Sequence, residues 1–121
     1  MHELSIALSL VEMAAEEAER LGGVRVEVLH LRLGPLSGVV REALLFSFDL
    51  AAEGTAIEGA RLEIEDVPVV VFCPCCEAER PLPSLQHFHC PVCGTPTPKV
   101  VRGRELELTA LEVTESATQD R

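Results

Sequence analysis

The sequence predicts an α+β fold: two helices packed on one face of a small mixed sheet of about three strands, with a cysteine-rich module inserted. Three observations predict it. Two stretches, 3–21 and 39–53, carry apolar residues at helical spacing and are each followed by glycine. Strand-like alternation occupies 24–33, 61–66 and 104–113. Between the last two strands stand two C-x-x-C pairs, Cys73/Cys76 and Cys90/Cys93, separated by thirteen residues. Two tight turns facing each other, each carrying two thiolates, make a tetrahedral sulfur cage, which is a strong zinc-ribbon signal. The expected division is therefore 1–69 plus 100–121 for an α/β domain and 70–99 for the zinc-binding domain.

The elements follow in order. In the first helix Leu4, Leu8, Val11, Ala15 and Ala18 form one apolar stripe, and Ile6, Leu10 and Met13 form another. An apolar arc this wide implies packing on two sides, against a sheet and another helix or a partner chain. Gly22-Gly23 ends it as a left-handed cap. In the first strand Val24, Val26 and Val28 alternate with charged residues, then Leu29, Leu31 and Leu33 take over in the other phase. That shift implies a bulge or burial on both faces. Gly34-Pro35 breaks the strand. The second helix is expected to cap near Ser37 or Gly38, to present Leu44, Leu45, Phe46 and Phe48 as its apolar side, and to stop before Gly54. Leu62 and Ile64 face inward in the next strand, 69–72 leads into the first cysteine turn, and Leu106, Leu108 and Ala110 share a face in the last. Residues 116–121 form a polar tail expected to fray.

Composition narrows the function. The chain has 121 residues, 47% of them hydrophobic, and a net charge of −10 from 20 acidic and 10 basic residues. With one lysine, scattered arginines and four Phe as its only aromatics, it lacks the basic patch and stacking platform of a nucleic-acid binder. No run approaches the roughly 18 apolar residues of a membrane span. The amino terminus is acidic and amphipathic, with no readable signal peptide, and the five cysteines are clustered and odd in number. Metal in a reducing compartment explains them better than disulfides, so a cytoplasmic protein is expected.

Four groups of residues remain to be weighed. Four thiolates close a metal site, so Cys73, Cys76, Cys90 and Cys93 read as structural rather than catalytic. Cys75 is out of register and reads as a spare thiol, and His87 and His89 as bystanders beside a turn. The amino terminus, Met1-His2-Glu3, can offer an α-amine, deprotonated amides and an imidazole to one metal in a plane. Such ligation suits Ni(II) or Cu(II), provided Met1 keeps its place with an unblocked amine. Glu12, Glu16 and Glu19 share one helix face, which reads as solvated. No P-loop, G-x-S-x-G or H-E-x-x-H motif appears, so no enzyme is read.

Met1-His2-Glu3-Leu4-Ser5, the segment Leu33-Gly34-Pro35-Leu36-Ser37-Gly38-Val39, the two C-x-x-C pairs and Gly103-Arg104-Glu105-Leu106 together resemble the HypA/HybF family of hydrogenase-maturation nickel chaperones. The resemblance runs from residue 1 to about 115 and is most specific where the amino-terminal triplet joins the cysteine pairs. It implies a metallochaperone that binds Ni(II) and helps deliver it to the NiFe hydrogenase large subunit, alongside a HypB-like partner GTPase. His2 is then the key nickel ligand, assisted by the Met1 amine and by Glu3, and Cys73, Cys76, Cys90 and Cys93 hold structural zinc. The expected α/β domain becomes the nickel-binding domain. Cys75 and Glu77 depart from the family's usual turn. A homodimer remains open. The competing reading is a zinc-ribbon adaptor protein with no mobile metal, and a redox dithiol protein comes third.

Overall fold

The computed structural model describes residues 2–96 and 99–114. Met1, Pro98 and the polar tail at 116–121 therefore lie outside the described residues. The elements run α1 (Glu3–Arg20), β1 (Arg25–Leu33), a 3-10 turn (Pro35–Ser37), α2 (Arg41–Ala52), β2 (Arg61–Asp66), β3 (Val70–Cys73), β4 (Ala78–Pro81), β5 (Lys99–Arg102) and β6 (Leu106–Thr114). They form two three-stranded sheets, in the orders β2-β1-β6 and β4-β3-β5. By compactness the chain divides into a unit of Met1–Leu31, Val39–Glu65 and Glu107–Arg121, and a unit of Arg32–Gly38 and Asp66–Leu106.

The helices of the first unit behave as amphipathic elements with a narrower buried face than their composition suggests. In α1 the buried side chains are Ala7, Leu10, Val11, Ala14 and Ala18, whereas Leu4, Leu8 and Met13 stay about half exposed. Glu12, Glu16 and Glu19 are exposed, as a solvated face should be. Gly22 and Gly23 take left-handed φ of 98° and 83° and return their N–H groups to the Glu19 and Ala18 carbonyls, ending the helix where expected. In α2 the buried set is Leu44, Phe48, Ala51 and Ala52, one face at i, i+4, i+7 and i+8. Phe46 is 67% exposed, which corrects its assignment to the apolar side: two residues from Leu44, it sits about 200° around the helix. Each large side chain buried here, Leu10, Leu44 or Phe48, contributes roughly 1.5–3 kcal/mol of transfer free energy.

The phase shift in β1 appears as adjacent buried residues, Val28 at 2% and Leu29 at 0% exposure, the strand being covered on both faces at that point. The Thr109 hydroxyl donates to the His30 carbonyl and the Thr114 hydroxyl to the Glu27 carboxylate, so β6 runs antiparallel to β1. Val67 N–H donates to the Leu33 carbonyl, which brings the ends of β1 and β2 together and makes that pair parallel. A parallel pair needs a crossover, and α2 supplies it. The segments carrying β3 to β5 are thus inserted between two strands, β2 and β6, that flank β1 in one sheet.

The second unit has its own sheet, whose outer strands the sequence reading omitted. β3 pairs antiparallel with β4 from Val70↔Pro81 to Cys73↔Ala78, and with β5 through Val70↔Arg102 and Phe72↔Lys99. At four residues each, these strands are too short to show alternation. In this unit the exit of β1 lies against the exit of β5. A Cβ on Gly34 would stand 2.1 Å from the Gly103 carbonyl oxygen, and Gly103 itself has φ +123° with Val69 close against it. Leu36 N–H donates to the Gly103 carbonyl at 2.8 Å and Gly34 N–H to the Glu105 carbonyl at 2.9 Å. Only glycine permits backbones to approach this closely, so two of the quoted motifs, around Gly34 and Gly103, are one tertiary contact.

Candidate metal sites

The four cysteines of the two C-x-x-C pairs converge. Cys73 ends β3, Cys76 follows one turn later, and Cys90 and Cys93 lie on a second turn; their sulfurs all fall within 4.8 Å of one another. Cys73 Sγ is 3.6 Å from Cys93 Sγ, and Cys76 Sγ is 3.8 Å from Cys90 Sγ. A tetrahedron with metal–sulfur bonds of about 2.3 Å has edges of about 3.8 Å, which these two separations match, and the whole cluster is compact enough for one metal ion. Each turn also aims backbone N–H groups at its sulfurs: Cys76 N–H to Cys73 Sγ and Val92 N–H to Cys90 Sγ, both at 3.4 Å.

The turns reach the same shape by different residues. After the second pair, Gly94 adopts φ 77° and donates its N–H to the Cys90 carbonyl. After the first, Glu77 takes the equivalent position at φ 54°, the only left-handed non-glycine residue among those described. A side chain there is strained by about 1–2 kcal/mol. The turn geometry demanded by the sulfurs thus overrides the local preference of Glu77.

Electrostatics fits a metal bound by thiolates. Thr95, whose hydroxyl lies 3.1 Å from Cys93 Sγ, is the chief reason that the Cys93 thiol is lowered to about 6. Burial raises Cys90, but the Cys93 and Val92 N–H groups outweigh it and bring this thiol below its usual range. Cys76 is pulled down by the Arg80 guanidinium, yet the neighbouring sulfurs and burial together push it up to about 12. Four thiols this close cannot all ionise without a cation among them. Arg80, which reaches the Cys76 and Cys90 sulfurs, supplies one positive charge, and its buried Nε has no hydrogen-bond partner. A divalent cation with four thiolates carries two negative charges, which Arg80 partly offsets. The donor set and its surroundings therefore fit a tetrahedral, thiophilic metal ion.

His2 and Glu3 stand at the start of α1. His2 is its N-cap, exposed, with φ −94° and ψ 124°, and its imidazole makes no capping hydrogen bond. Its carbonyl accepts the Ile6 N–H at 3.2 Å, the first bond of the helix. The Glu3 side chain turns to α2 instead, where one carboxylate oxygen accepts the Val40 N–H at 2.9 Å. That bond is the main reason the Glu3 carboxyl lies below its ordinary value. Val40 is the N-cap of α2, in place of the expected Ser37 or Gly38, because the 3-10 turn Pro35–Ser37 occupies those positions.

Cys75 is an exposed free thiol outside the sulfur cluster, and His87 and His89 are exposed, with ring centroids 6.2 Å apart. The sequence reading missed Arg80, Thr95 and the Glu3–Val40 bond. Thr95, two residues after Cys93, carried a local signal; the other two depend on strand register and helix packing.

Comparison with known proteins shows the family of the chain. A family model described as "Hydrogenase/urease nickel incorporation, metallochaperone, hypA" matches residues 1–113. The chain is 59% identical over 112 residues to the hydrogenase maturation factor HypA of Roseiflexus sp. (strain RS-1), covering 93% of this chain and 91% of that protein. It is 55% identical to the HypA of Chloroflexus aurantiacus (strain ATCC 29366 / DSM 635 / J-10-fl), covering 93% and 98%. Its fold is similar to the solution structure of the Ni metallochaperone HypA from Helicobacter pylori, with a TM-score of 0.65 at 24% identity over 93% of this chain and 97% of that one. The chain belongs to the HypA family of hydrogenase and urease nickel-incorporation metallochaperones.

Proposed function

We propose that this chain carries Ni(II) on His2, the Met1 α-amine and Glu3, and helps deliver it to the NiFe hydrogenase large subunit during maturation. In the same proposal Cys73, Cys76, Cys90 and Cys93 hold a structural zinc, 70–99 being the zinc-binding domain and 1–69 plus 100–121 the nickel-binding domain. The observation that carries it is His2, exposed at the start of α1, whose imidazole makes no capping hydrogen bond. The first-turn N–H groups of a helix have no intrahelical partners, so the amides at His2 and Glu3 can exchange a proton for a metal. The negative charge they then carry sits at the positive end of the helix dipole. Amine, amide and imidazole nitrogens suit the planar coordination of Ni(II).

The chain acts as a carrier and not as a catalyst. A HypB-like GTPase supplies nucleotide hydrolysis in this reading, which is compatible with a monomer or a homodimer. The cytoplasm is where cysteines stay reduced and able to bind a metal, in keeping with the absence of a disulfide among the described residues.

The test is metal analysis and nickel titration of the untagged protein. Stoichiometric Ni(II) binding is expected, abolished by His2→Ala and by a one-residue amino-terminal extension, with zinc content unchanged in both. Recovery of zinc alone, with His2 dispensable, would establish the adaptor reading instead.

A further inference from the structure

We infer that the Glu3 carboxylate is a positioning group for the nickel donors: it clamps the first turn of α1 to the entrance of α2 and does not itself touch the metal. The inference rests on the proposed nickel site at His2. Its basis is the bond from Val40 N–H to Glu3 Oε2, which at 2.9 Å has the length of a charge-assisted hydrogen bond. Nothing in α2 competes for that donor. Val40 is the N-cap, so its carbonyl closes the first bond of α2, accepting the Leu44 N–H at 2.9 Å, while its own N–H points outside the helix.

The clamp acts where α1 is weakest. Helix ends fray, and His2 has no side-chain capping bond to hold it. Behind it, the first buried residues of α1 are Ala7, Leu10 and Val11, while Leu4 and Leu8 are about half exposed. The packing that anchors the helix thus begins a full turn after the donors, and the Glu3–Val40 bond is what ties down the turn that carries them. A chelate built from consecutive residues needs that turn ordered, and any disorder must be removed when the metal binds. With Oε2 bound at Val40 the carboxylate is oriented by α2, and the proposed chelate is completed by nitrogen donors.

The experiment measures Ni(II) affinity and the visible spectrum of the nickel complex in full-length, zinc-loaded protein. Glu3→Ala is expected to weaken binding about tenfold, the factor for one further backbone residue ordered on binding. Its spectrum should stay that of the parent, since the donors are the same. Glu3→Gln keeps an acceptor for Val40 N–H and should restore affinity to within about threefold. Val40→Pro removes the donor at a residue whose φ of −88° is near what proline permits. It should weaken binding as Glu3→Ala does, and the double variant should be no weaker than either single one. If Glu3→Gln fell as far as Glu3→Ala, or the spectrum changed, the carboxylate would be a ligand and the inference overturned. Normal affinity in Glu3→Ala or Val40→Pro would overturn it equally. Full binding in His2→Ala, run in parallel, would instead remove the nickel reading on which the inference stands.

Discussion

The cysteine cage and the amino-terminal turn are built in opposite ways. In the cage, donors from two separate turns meet at one point, two of them fully buried: Cys73 at 0% and Cys90 at 2% exposure. Backbone N–H groups, Thr95 and Arg80 surround the sulfurs. A metal held this way leaves only if the turns come apart. The proposed nickel donors belong to consecutive residues at the start of one helix, where His2 is exposed and the Val40 N–H holds the Glu3 carboxylate. Such donors can be taken by a docking partner one after another. The difference teaches what the proposed functions would need: donors distant in sequence and buried together suit retention, and donors adjacent in sequence and open to solvent suit release.

The largest effect is expected in the cage. Cys73→Ser removes a buried thiol of the proposed zinc site, at the end of the middle strand of its sheet. Structural zinc contributes on the order of 10 kcal/mol to the folding of small zinc modules. The variant should therefore lose its metal, and the β3, β4 and β5 amides should lose protection from hydrogen exchange. A variant that kept both would show that the cage is not the closed site described.

A smaller effect tests the other side of the comparison by pH. The Glu3 carboxyl is lowered because its ionised form accepts the Val40 N–H. A depressed carboxyl contributes stability that is present above its unfolded value of about 4.5 and is lost as pH falls through the folded value. The Val40 amide resonance should thus hold its neutral-pH position into mild acid and move only below the ordinary carboxylate range. In Val40→Pro the Glu3 side chain should titrate higher. Titration of Glu3 at its ordinary value in the parent protein would break the clamp.

The smallest effect compares the two cysteine turns. Glu77→Gly relieves a left-handed side chain at the position that Gly94 fills in the other turn. The relief, about 1–2 kcal/mol, is partly offset by the freedom glycine adds to the unfolded chain, about 0.5–1 kcal/mol. A net gain of about 0.5 kcal/mol in denaturant unfolding of the zinc-loaded protein is expected. A loss of stability would mean that the Glu77 side chain contributes an interaction of its own.

Much of the fold was legible because its signals are local. Gly22-Gly23 announced the end of α1, the phase shift at Val28 and Leu29 announced a bulge or two-sided burial, of which burial is found, and the cysteine spacing announced the thiol cluster. What escaped was non-local or too short. β4 and β5 show no periodicity in four residues each, and they exist because β3 pairs with both. Phe46 looked like core because it neighbours Leu44 and Leu45, but a helix sorts residues by angle and turned it outward. The cap of α2 shifted to Val40 once Pro35–Ser37 formed a 3-10 turn.

Residue chemistry and spacing were enough to specify the helices, the parent sheet and the set of thiolates, since periodicity and C-x-x-C turns act within a few residues. Tertiary structure decided the rest. It made glycine obligatory at Gly34, where the backbone of Gly103 leaves no room for a Cβ. It brought Arg80 to the sulfurs through strand pairing, and it gave the Glu3 carboxylate a backbone donor 37 residues away. Each depends on groups far apart in the chain arriving at one place, which packing alone arranges.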